Sequence, residues 1–422
     1  MISQQLIAVT IFIVVIVAIM SEKVHRAVAA VTGAVLLVLL KVLSIDDCIS
    51  YIDFNTIGVL IGMMLFVAVV KNSGIFEYIA IKSAKLAKGN PWKIMAYFMI
   101  LTAVLSAFLD NVTTVLLVGP MTLAITRILK INPVPFLMTQ ILSSNIGGTA
   151  TLIGDPPNIM IGSAANLSFM DFIVNLGPII VIVLAATICC FYIIYGKHFI
   201  FDKSAIKDVM KLDEQKAIKD LSLMRKSITL IILVAVGFVL HSTLQVESCI
   251  IALTAASIML LIGKQDVDEI IAGVEWPTIV FFTGLFVVVG GMVKVGVIDT
   301  LAQLLMNATE GHMVLTMLLI LWVSAILSSI LDNIPFVATM IPLILTMEQS
   351  GLNVMPFWWA ISLGACLGGN GTLIGASANV VLSGISNKHG YPITFAQYLK
   401  VGYPMMILSM LLSTIYLVVR FA

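Results

Sequence analysis

The stretch Ser106-Ala-Phe-Leu-Asp-Asn111 recurs 222 positions later as Ser328-Ser-Ile-Leu-Asp-Asn333. In each copy the Asp-Asn pair is the only interruption between two long apolar runs, 92–109 with 112–129 and 313–331 with 334–347. Two helices joined by so short a polar link cannot both cross a bilayer, because the link would need a loop in water. Each pair therefore predicts a re-entrant helical hairpin, at about 92–129 and 313–347, with its tip buried in protein at mid-membrane depth.

A second block follows each hairpin. Residues 147–158, Gly-Gly-Thr-Ala-Thr-Leu-Ile-Gly-Asp-Pro-Pro-Asn, match 368–379, Gly-Gly-Asn-Gly-Thr-Leu-Ile-Gly-Ala-Ser-Ala-Asn, at seven of twelve positions. Glycines weaken a helix, and the two prolines of the first copy remove backbone donors. These blocks predict broken helices at about 134–165 and 355–386. Irregular backbone is tolerated at membrane depth only where it lines a cavity or is buried in protein.

The composition of the whole chain agrees with a membrane location. Of 422 residues, 60% are hydrophobic and only 11% are charged, and the mean hydropathy is +1.12. Soluble proteins carry about 25% charged residues, so a soluble protein is excluded. The net charge of +1 predicts no nucleic-acid partner. The partner is the lipid bilayer, and the fold class is an all-α polytopic membrane protein.

The repeated blocks divide the chain into two copies of one unit. We expect inverted repeat 1 at 1–196, a linker at 197–226 and inverted repeat 2 at 227–422, each repeat having five transmembrane helices and one hairpin. An odd number of crossings places the second copy upside down relative to the first. Inverted repeats with broken helices are typical of secondary transporters, whose substrate lies near the midplane.

The basic residues predict the orientation. With ten crossings, twenty of the 23 Lys and Arg residues, Arg26 among them, fall on one face, and only Lys41, Lys294 and Arg420 fall on the other. The positive-inside rule makes the first face cytoplasmic. We therefore expect a multi-pass protein of the plasma (inner) membrane, with a cytoplasmic linker and both termini outside.

The acids at the hairpin tips are the candidate working residues. An ionised Asp at the bilayer centre costs about 2.5–3.5 kcal/mol, so an interaction or a function must compensate for burying Asp110 and Asp332. Capping of the next helix is one reason, and binding of a cation or proton is the other. We expect no Lys, Arg or His at this site, so that it favours a cation, with H+ and/or Na+ as the coupling ion and no cofactor. Na+ is predicted at Asp110, Asn111, Asp332 and Asn333. The predicted substrate- and ion-binding residues are Asp110, Asn111, Thr113, Thr114, Asn145, Thr149, Thr151, Asp155, Asn158, Asp332, Asn333, Asn370, Thr372 and Asn379.

Other functions remain open from the residues alone. Na+ at the tips would also neutralise an anion, which leaves a Na+-coupled anion or dicarboxylate transporter as an alternative. An intramembrane aspartyl protease would use Asp110 and Asp332 as a dyad, but the chain lacks Gly-x-Gly-Asp. A zinc-protease motif and a Walker loop are also absent. We expect a transporter and not an enzyme.

The blocks 108–114, 145–158, 331–336 and 364–379 resemble those of the ArsB/NhaD group of the ion transporter superfamily, which includes the melanosomal P protein and shares a citrate-transporter-like domain. The resemblance implies a homodimeric elevator-type transporter. The paired buried acids lead us to expect that it exchanges protons for a small inorganic ion, by Na+/H+ antiport or arsenite efflux. The resemblance implies an accessory ATPase if the chain is an arsenite pump. Dicarboxylate symporters of the wider superfamily have Ser-Asn-Thr at the tips, where this chain has Asp-Asn-Val and Asp-Asn-Ile.

Overall fold

The computed structural model describes residues 3–21, 23–196 and 209–421, in which every regular element is helical. The first part of the predicted linker, 197–208, lies outside the described residues. The first half contains α1 (Gln4–Met20), α2 (Arg26–Leu39), α3 (Ile45–Tyr51), α4 (Phe54–Lys71), α5 (Ile75–Leu86), α6 (Pro91–Phe108), α7 (Asn111–Ile128), α8 (Val134–Thr149), α9 (Pro156–Ala165) and α10 (Phe169–Phe191). The second half contains α11 (Leu221–Leu244), α12 (Ser248–Gly263), α13 (Val267–Ala272), α14 (Trp276–Lys294), α15 (Val297–Ala308), α16 (Met313–Ile330), α17 (Asn333–Gln349), α18 (Met355–Gly368), α19 (Ser377–Lys388) and α20 (Phe395–Phe421).

Eight helices of the described ranges are long and apolar enough to cross a membrane. They are α4, α6, α7, α10 with its π-helical extension to Gly196, α11, α14, α16 and α20. The prediction of an all-α polytopic membrane protein is confirmed. Because α6, α7 and α16 have 18 residues each, they are long enough to span by themselves, and the re-entrant depth of the hairpins stays a prediction.

The Asp-Asn pairs stand where one helix ends and the next begins. Leu109 and Leu331 are extended, and the carboxylates that follow them cap α7 and α17. Asp110 accepts from the backbone N–H of Thr113 at 2.8 Å, and Asp332 accepts from that of Ile334 at 3.3 Å. An aspartate that satisfies free N–H groups explains why both helices restart at this dipeptide.

The two broken helices pack on the first arm of each hairpin through glycine. A Cβ on Gly147 would lie 2.1 Å from the carbonyl oxygen of Ala103, and one on Gly368 would lie 2.7 Å from that of Ala325. Ser106 donates to the carbonyl of Ser144 at 2.6 Å, and the second copy repeats this bond from Ser328 to Ala365, also at 2.6 Å. The repeated sequence therefore makes repeated backbone contacts, α8 on α6 and α18 on α16.

Helices of the two halves also pack against each other. α2 of the first half packs against α14 of the second, where a Cβ on Gly284 would meet the carbonyl carbon of Ala30 at 2.8 Å. α12 of the second half packs against α4 of the first in the same way, with Gly62 against the carbonyl carbon of Ala252 at 2.6 Å. The two copies are thus interlocked, and each of the two hydrophobic cores contains residues from both halves.

Residues 75–86 and 297–308 form α5 and α15, although the apolar runs of the sequence predict no helix there. Each helix starts after a glycine in the left-handed region, Gly74 at φ +83° and Gly296 at φ +75°. The described end of the linker lies beside α5, since Lys219 N–H donates to the carbonyl of Ser73 at 3.1 Å. We call this face of the molecule the linker side. Gln4, the first residue of α1, instead lies beside Lys41.

Candidate functional site

Four of the predicted site residues meet at one small closed cavity. Asp110 and Asn111 come from the first hairpin tip, Asn333 from the second, and Asp155 from the break between α8 and α9. The cavity, which we call the inner chamber, has a volume of about 20 Å³, room for little more than one water molecule. Its other lining residues are Arg26, Leu60, Met64, Val112, Pro156, Glu275, Thr278, Ile334 and Ser377.

Asp155 is the most enclosed carboxylate of the chamber. Its side chain is 1% exposed and makes no capping bond, although the residue precedes α9. The amide nitrogen of Asn333 lies 3.3 Å from each carboxylate oxygen. A buried carboxylate needs such partners, because an unpaired charge away from water is costly. The second hairpin thereby supplies the partner of an acid in the first broken helix.

Buried amides connect the two broken helices behind the chamber. Asn111 donates to the side-chain oxygen of Asn145 at 3.2 Å. The amide nitrogen of Asn145 in turn donates to the side-chain oxygens of Asn370 and Asn379, each at 2.9 Å. All four residues are at most 3% exposed. This amide network ties the first hairpin tip and both breaks into one polar core.

The remaining predicted residues do not line the inner chamber. Asn158 and Asn379 donate to main-chain carbonyls within the breaks, Thr149 to a carbonyl of α8, and Thr151 and Thr372 to carbonyls of the first hairpin arms, α6 and α16. These bonds satisfy main-chain acceptors, which is a structural role. The hydroxyl of Thr113 donates to Asp110, whereas that of Thr114 is buried without a hydrogen-bond partner.

Asp332 faces a different cavity from Asp110. This second cavity, which we call the vestibule, has a volume of about 320 Å³. It opens between α1, the start of α2, the second hairpin tip and α19. Its lining residues are Ile16, Ile19, Met20, Val24, His25, Arg26, Ile330, Leu331, Asp332, Ile374, Ser377, Val380 and Val381. Asp110 and Asp332 are therefore equivalent in sequence but not in surroundings.

The expectation that no basic side chain is present at the site is wrong. The guanidinium of Arg26 donates to Asp332 at 3.1 Å, to Ser377 at 2.6 Å and to Thr278 at 3.0 Å. Hydropathy placed Arg26 at the membrane surface, because it follows a polar loop. α1 and α2 have only 17 and 14 residues, and 14 residues span about 21 Å, less than the hydrocarbon thickness of about 30 Å. The shortness of α2 was the signal that could have revealed Arg26.

Glu275 is a second residue that the sequence analysis did not place at the site. It lines the inner chamber and accepts from the hydroxyl of Thr278 at 3.2 Å. Its repeat counterpart, Asp53, instead accepts hydrogen bonds from the backbone of Asn55 and from the hydroxyls of Thr56 and Ser163. With Glu275, the chamber and vestibule contain four carboxylates against one guanidinium. The formal charge of the site remains negative, which attracts cations.

Comparison with known proteins places the chain in a family. The citrate transporter family model, CitMHS, matches residues 16–364. An uncharacterized transporter of Mycobacterium tuberculosis is 43% identical over 98% of both chains. The human P protein is 32% identical over 94% of this chain, which spans 58% of the P protein. The structure of the YdaH transporter of Alcanivorax borkumensis superposes with a TM-score of 0.53 at 14% identity, covering 87% of this chain and 85% of that one, a similarity of fold alone. The predicted relationship to the P protein is confirmed, and the chain is a secondary membrane transporter that belongs to the citrate transporter (CitMHS) family.

Proposed function

We propose that this transporter couples protons to the exchange or efflux of a small inorganic ion, with Na+/H+ antiport as the reaction. The observation that carries the proposal is the inner chamber. It has room for one water-sized body and is lined by Asp110, Asp155 and Glu275 with the amides of Asn111 and Asn333. Carboxylate and carbonyl oxygens are the ligands of hard cations. This volume of about 20 Å³ suits a small cation better than a tricarboxylate.

The tip aspartates give a simple basis for exchange. A carboxylate binds either a proton or a metal cation at one oxygen, so occupation by one disfavours the other. Asp110 and Asp332 each stand at a helix start whose N–H groups hold the carboxylate in place. We propose that Asp110 gives up a proton when the cation binds and regains it after the cation's release, whereas Asp332 exchanges the guanidinium of Arg26 for the cation.

An unequal pair of contacts supports an elevator movement of the broken helices relative to α4 and α14. In the first repeat, Ser163 on α9 donates to Asp53, at the start of α4, at 2.9 Å. In the second repeat, the residue of α19 near Thr278, at the start of α14, is Ser377. The repeat partner of Ser377 is Pro156, not Ser163. Equivalent points on α4 and α14 thus face positions seven residues apart on α9 and α19, about 10 Å at 1.5 Å per residue. A transporter resting at one end of its movement is expected to show such an offset.

Arsenite efflux has less support from the site. A thiol would favour arsenite, and Cys366 is the cysteine nearest a break. Its Sγ lies 3.6 Å from the side-chain oxygen of Asn158, and the residue is fully buried outside the chamber lining. An accessory ATPase is therefore not part of the proposal.

A second candidate is Na+-coupled transport of a carboxylate. Arg26 favours it, because a guanidinium at the wall of a 320 Å³ vestibule is suited to bind a carboxylate by two parallel hydrogen bonds. Under this alternative, Asp332 would release Arg26 to the substrate.

Proteoliposomes with an entrapped pH-sensitive dye separate the two candidates. For the antiporter, a Na+ gradient changes the internal pH of wild-type vesicles, and the double variant Asp110→Asn, Asp332→Asn abolishes the change. Glu310→Gln, an exposed site, is the matched control and keeps the signal. An unchanged signal in the double variant would refute the proposal. Uptake of radiolabelled citrate or succinate that requires Na+ would establish the second candidate.

A further inference from the structure

Arg26 joins three parts of the molecule at one guanidinium. It is the first residue of α2, and it donates to the second hairpin tip at Asp332, to α19 at Ser377 and to α14 at Thr278. Its guanidinium carbon also lies 5.2 Å from the centre of the Phe281 ring, a cation–π distance. The side chains of Arg26 and Asp332 are only 25% and 13% exposed. An arginine held this way fixes the tip relative to α2 and α14.

The same side chain separates the two cavities. Arg26 and Ser377 line both the vestibule and the inner chamber, whereas Asp332 lines only the vestibule and Asp110 only the chamber. Ser377 completes the partition, since its hydroxyl donates to Asp332 at 2.9 Å while accepting from Arg26. An ion that passes from the vestibule to the chamber must displace this guanidinium.

The equivalent pair of positions, Ser248 and Asp110, does not form an ion pair. The repeat partner of Arg26 is Ser248, whose hydroxyl donates to the neutral side-chain oxygen of Asn55 at 3.2 Å. The partner of Asp332 is Asp110, which accepts from Thr113 of its own hairpin. The arginine therefore belongs to one side of the transporter only, and capping of a helix does not account for it.

We infer that Arg26 is an internal competitor of the transported cation: its guanidinium occupies the Asp332 carboxylate and closes the wall between vestibule and chamber until a cation takes its place. The inference rests on the proposed function, because it takes a cation as the ligand. In the empty protein the ion pair holds the hairpin tip against α2 and α14. Cation binding at Asp332 releases Arg26 and thereby frees the tip to move.

At constant charge, competition has a sign that a merely structural arginine does not have. Loosening a structural arginine weakens cation binding or leaves it unchanged. Losing a competitor strengthens binding, because the carboxylate no longer has to give up its guanidinium first. Phe281→Leu tests this without a change in charge, since the Phe281 ring lies against the Arg26 guanidinium and lines neither cavity.

The experiment is a Na+ titration of the purified full-length protein, with choline chloride keeping the ionic strength constant and the thermal unfolding temperature as the readout. We expect Arg26→Gln to lower the half-saturating Na+ concentration by about fivefold to tenfold, the effect of removing one partly buried ion pair. Phe281→Leu lowers it by about twofold, and Arg26→Lys, which keeps the charge but loses the fork of hydrogen bonds and the ring contact, lowers it by less than Arg26→Gln does. Arg420→Gln, which loses hydrogen bonds to Asn175 far from the site, is the matched control and leaves it unchanged.

The outcomes distinguish this inference from the proposed function. If wild type responds to Na+ and Arg26→Gln needs as much Na+ or more, the competitor role is overturned while cation transport stands. If wild type does not respond to Na+, Li+ or pH, the proposed function fails and the inference fails with it. Should Arg26→Gln not fold, Phe281→Leu decides: a half-saturating concentration that is lower than in wild type supports competition, and any other value refutes it.

Discussion

Asn333 of the second hairpin tip places its amide nitrogen 3.3 Å from both carboxylate oxygens of Asp155 in the first broken helix. Both residues are nearly inaccessible, at 2% and 1% exposure. Together with the bond from Asn111 to Asn145, this contact joins each hairpin tip to a break. The tips and breaks therefore form one polar unit, and a movement that displaces one of them displaces the others.

Asn333→Ala removes both hydrogen bonds to Asp155. We expect the free energy of unfolding to fall by about 2 kcal/mol, because a buried carboxylate loses charge-assisted bonds. Chemical denaturation in detergent measures the loss. Asn387→Ala, at an exposed position on α19, is the control and changes stability by less than about 0.5 kcal/mol. Equal effects of the two substitutions would show that Asn333 does not stabilise Asp155.

Asn145→Ala removes the centre of the amide network. Asn111, Asn370 and Asn379 each lose a buried partner, and we expect a destabilisation of about 3 kcal/mol or more. Asn145→Asp keeps the volume but turns the donor group into an oxygen that faces two other oxygens, so it is expected to destabilise at least as much. If the alanine variant is unstable and the aspartate variant is not, packing and not hydrogen bonding is the cause. Denaturation of both variants under one set of conditions makes the comparison.

The helix breaks could be predicted from the sequence because their causes are local. An Asp-Asn pair caps a helix start, and glycine and proline weaken a helix wherever they occur, so the ends of α6 and α8 follow from neighbouring residues. The amphipathic helices α5 and α15 were missed, because a scan for continuous apolar runs does not detect them.

The partners within the site could not be predicted in the same way. Arg26 and Asp332 are 306 residues apart, and only the packing of α2 against α14 brings them together. Thr149, Thr151 and Thr372 are predicted to bind the ion, and in the structure they donate to main-chain carbonyls of α8, α6 and α16. Sequence alone does not distinguish a hydroxyl that lines a cavity from one that satisfies the backbone.

Asp47 gives a prediction about pH outside the candidate membrane spans. Hydrogen bonds from Lys294 and from Ser44 lower the pKa of Asp47 to about 2. Since this pKa lies below that of about 3.9 in an unfolded chain, the stabilisation is fully present above about pH 4 and is lost as the pH falls through about 2. Unfolding temperatures between pH 2 and 6 should therefore fall less steeply for Asp47→Asn than for wild type. Asp46→Asn, at the neighbouring exposed residue, is the control, and its unfolding temperatures should match those of wild type at every pH. If the unfolding temperatures of Asp47→Asn and wild type fall in parallel, the prediction is contradicted.

Two glycine substitutions test how closely the broken helix approaches its hairpin. A Cβ on Gly147 would lie 2.1 Å from the carbonyl oxygen and 2.5 Å from the Cα of Ala103, both backbone atoms that cannot turn away. We expect Gly147→Ala to cost about 3 kcal/mol or more. Gly384→Ala is the matched control, since nothing lies within 4 Å of the added carbon and alanine favours a helix by about 1 kcal/mol. The first variant should unfold at a lower temperature than wild type and the second at a higher one. Similar unfolding temperatures for the two variants would mean that α8 and α6 do not pack backbone to backbone, and the polar unit of tips and breaks would lose its rigid support.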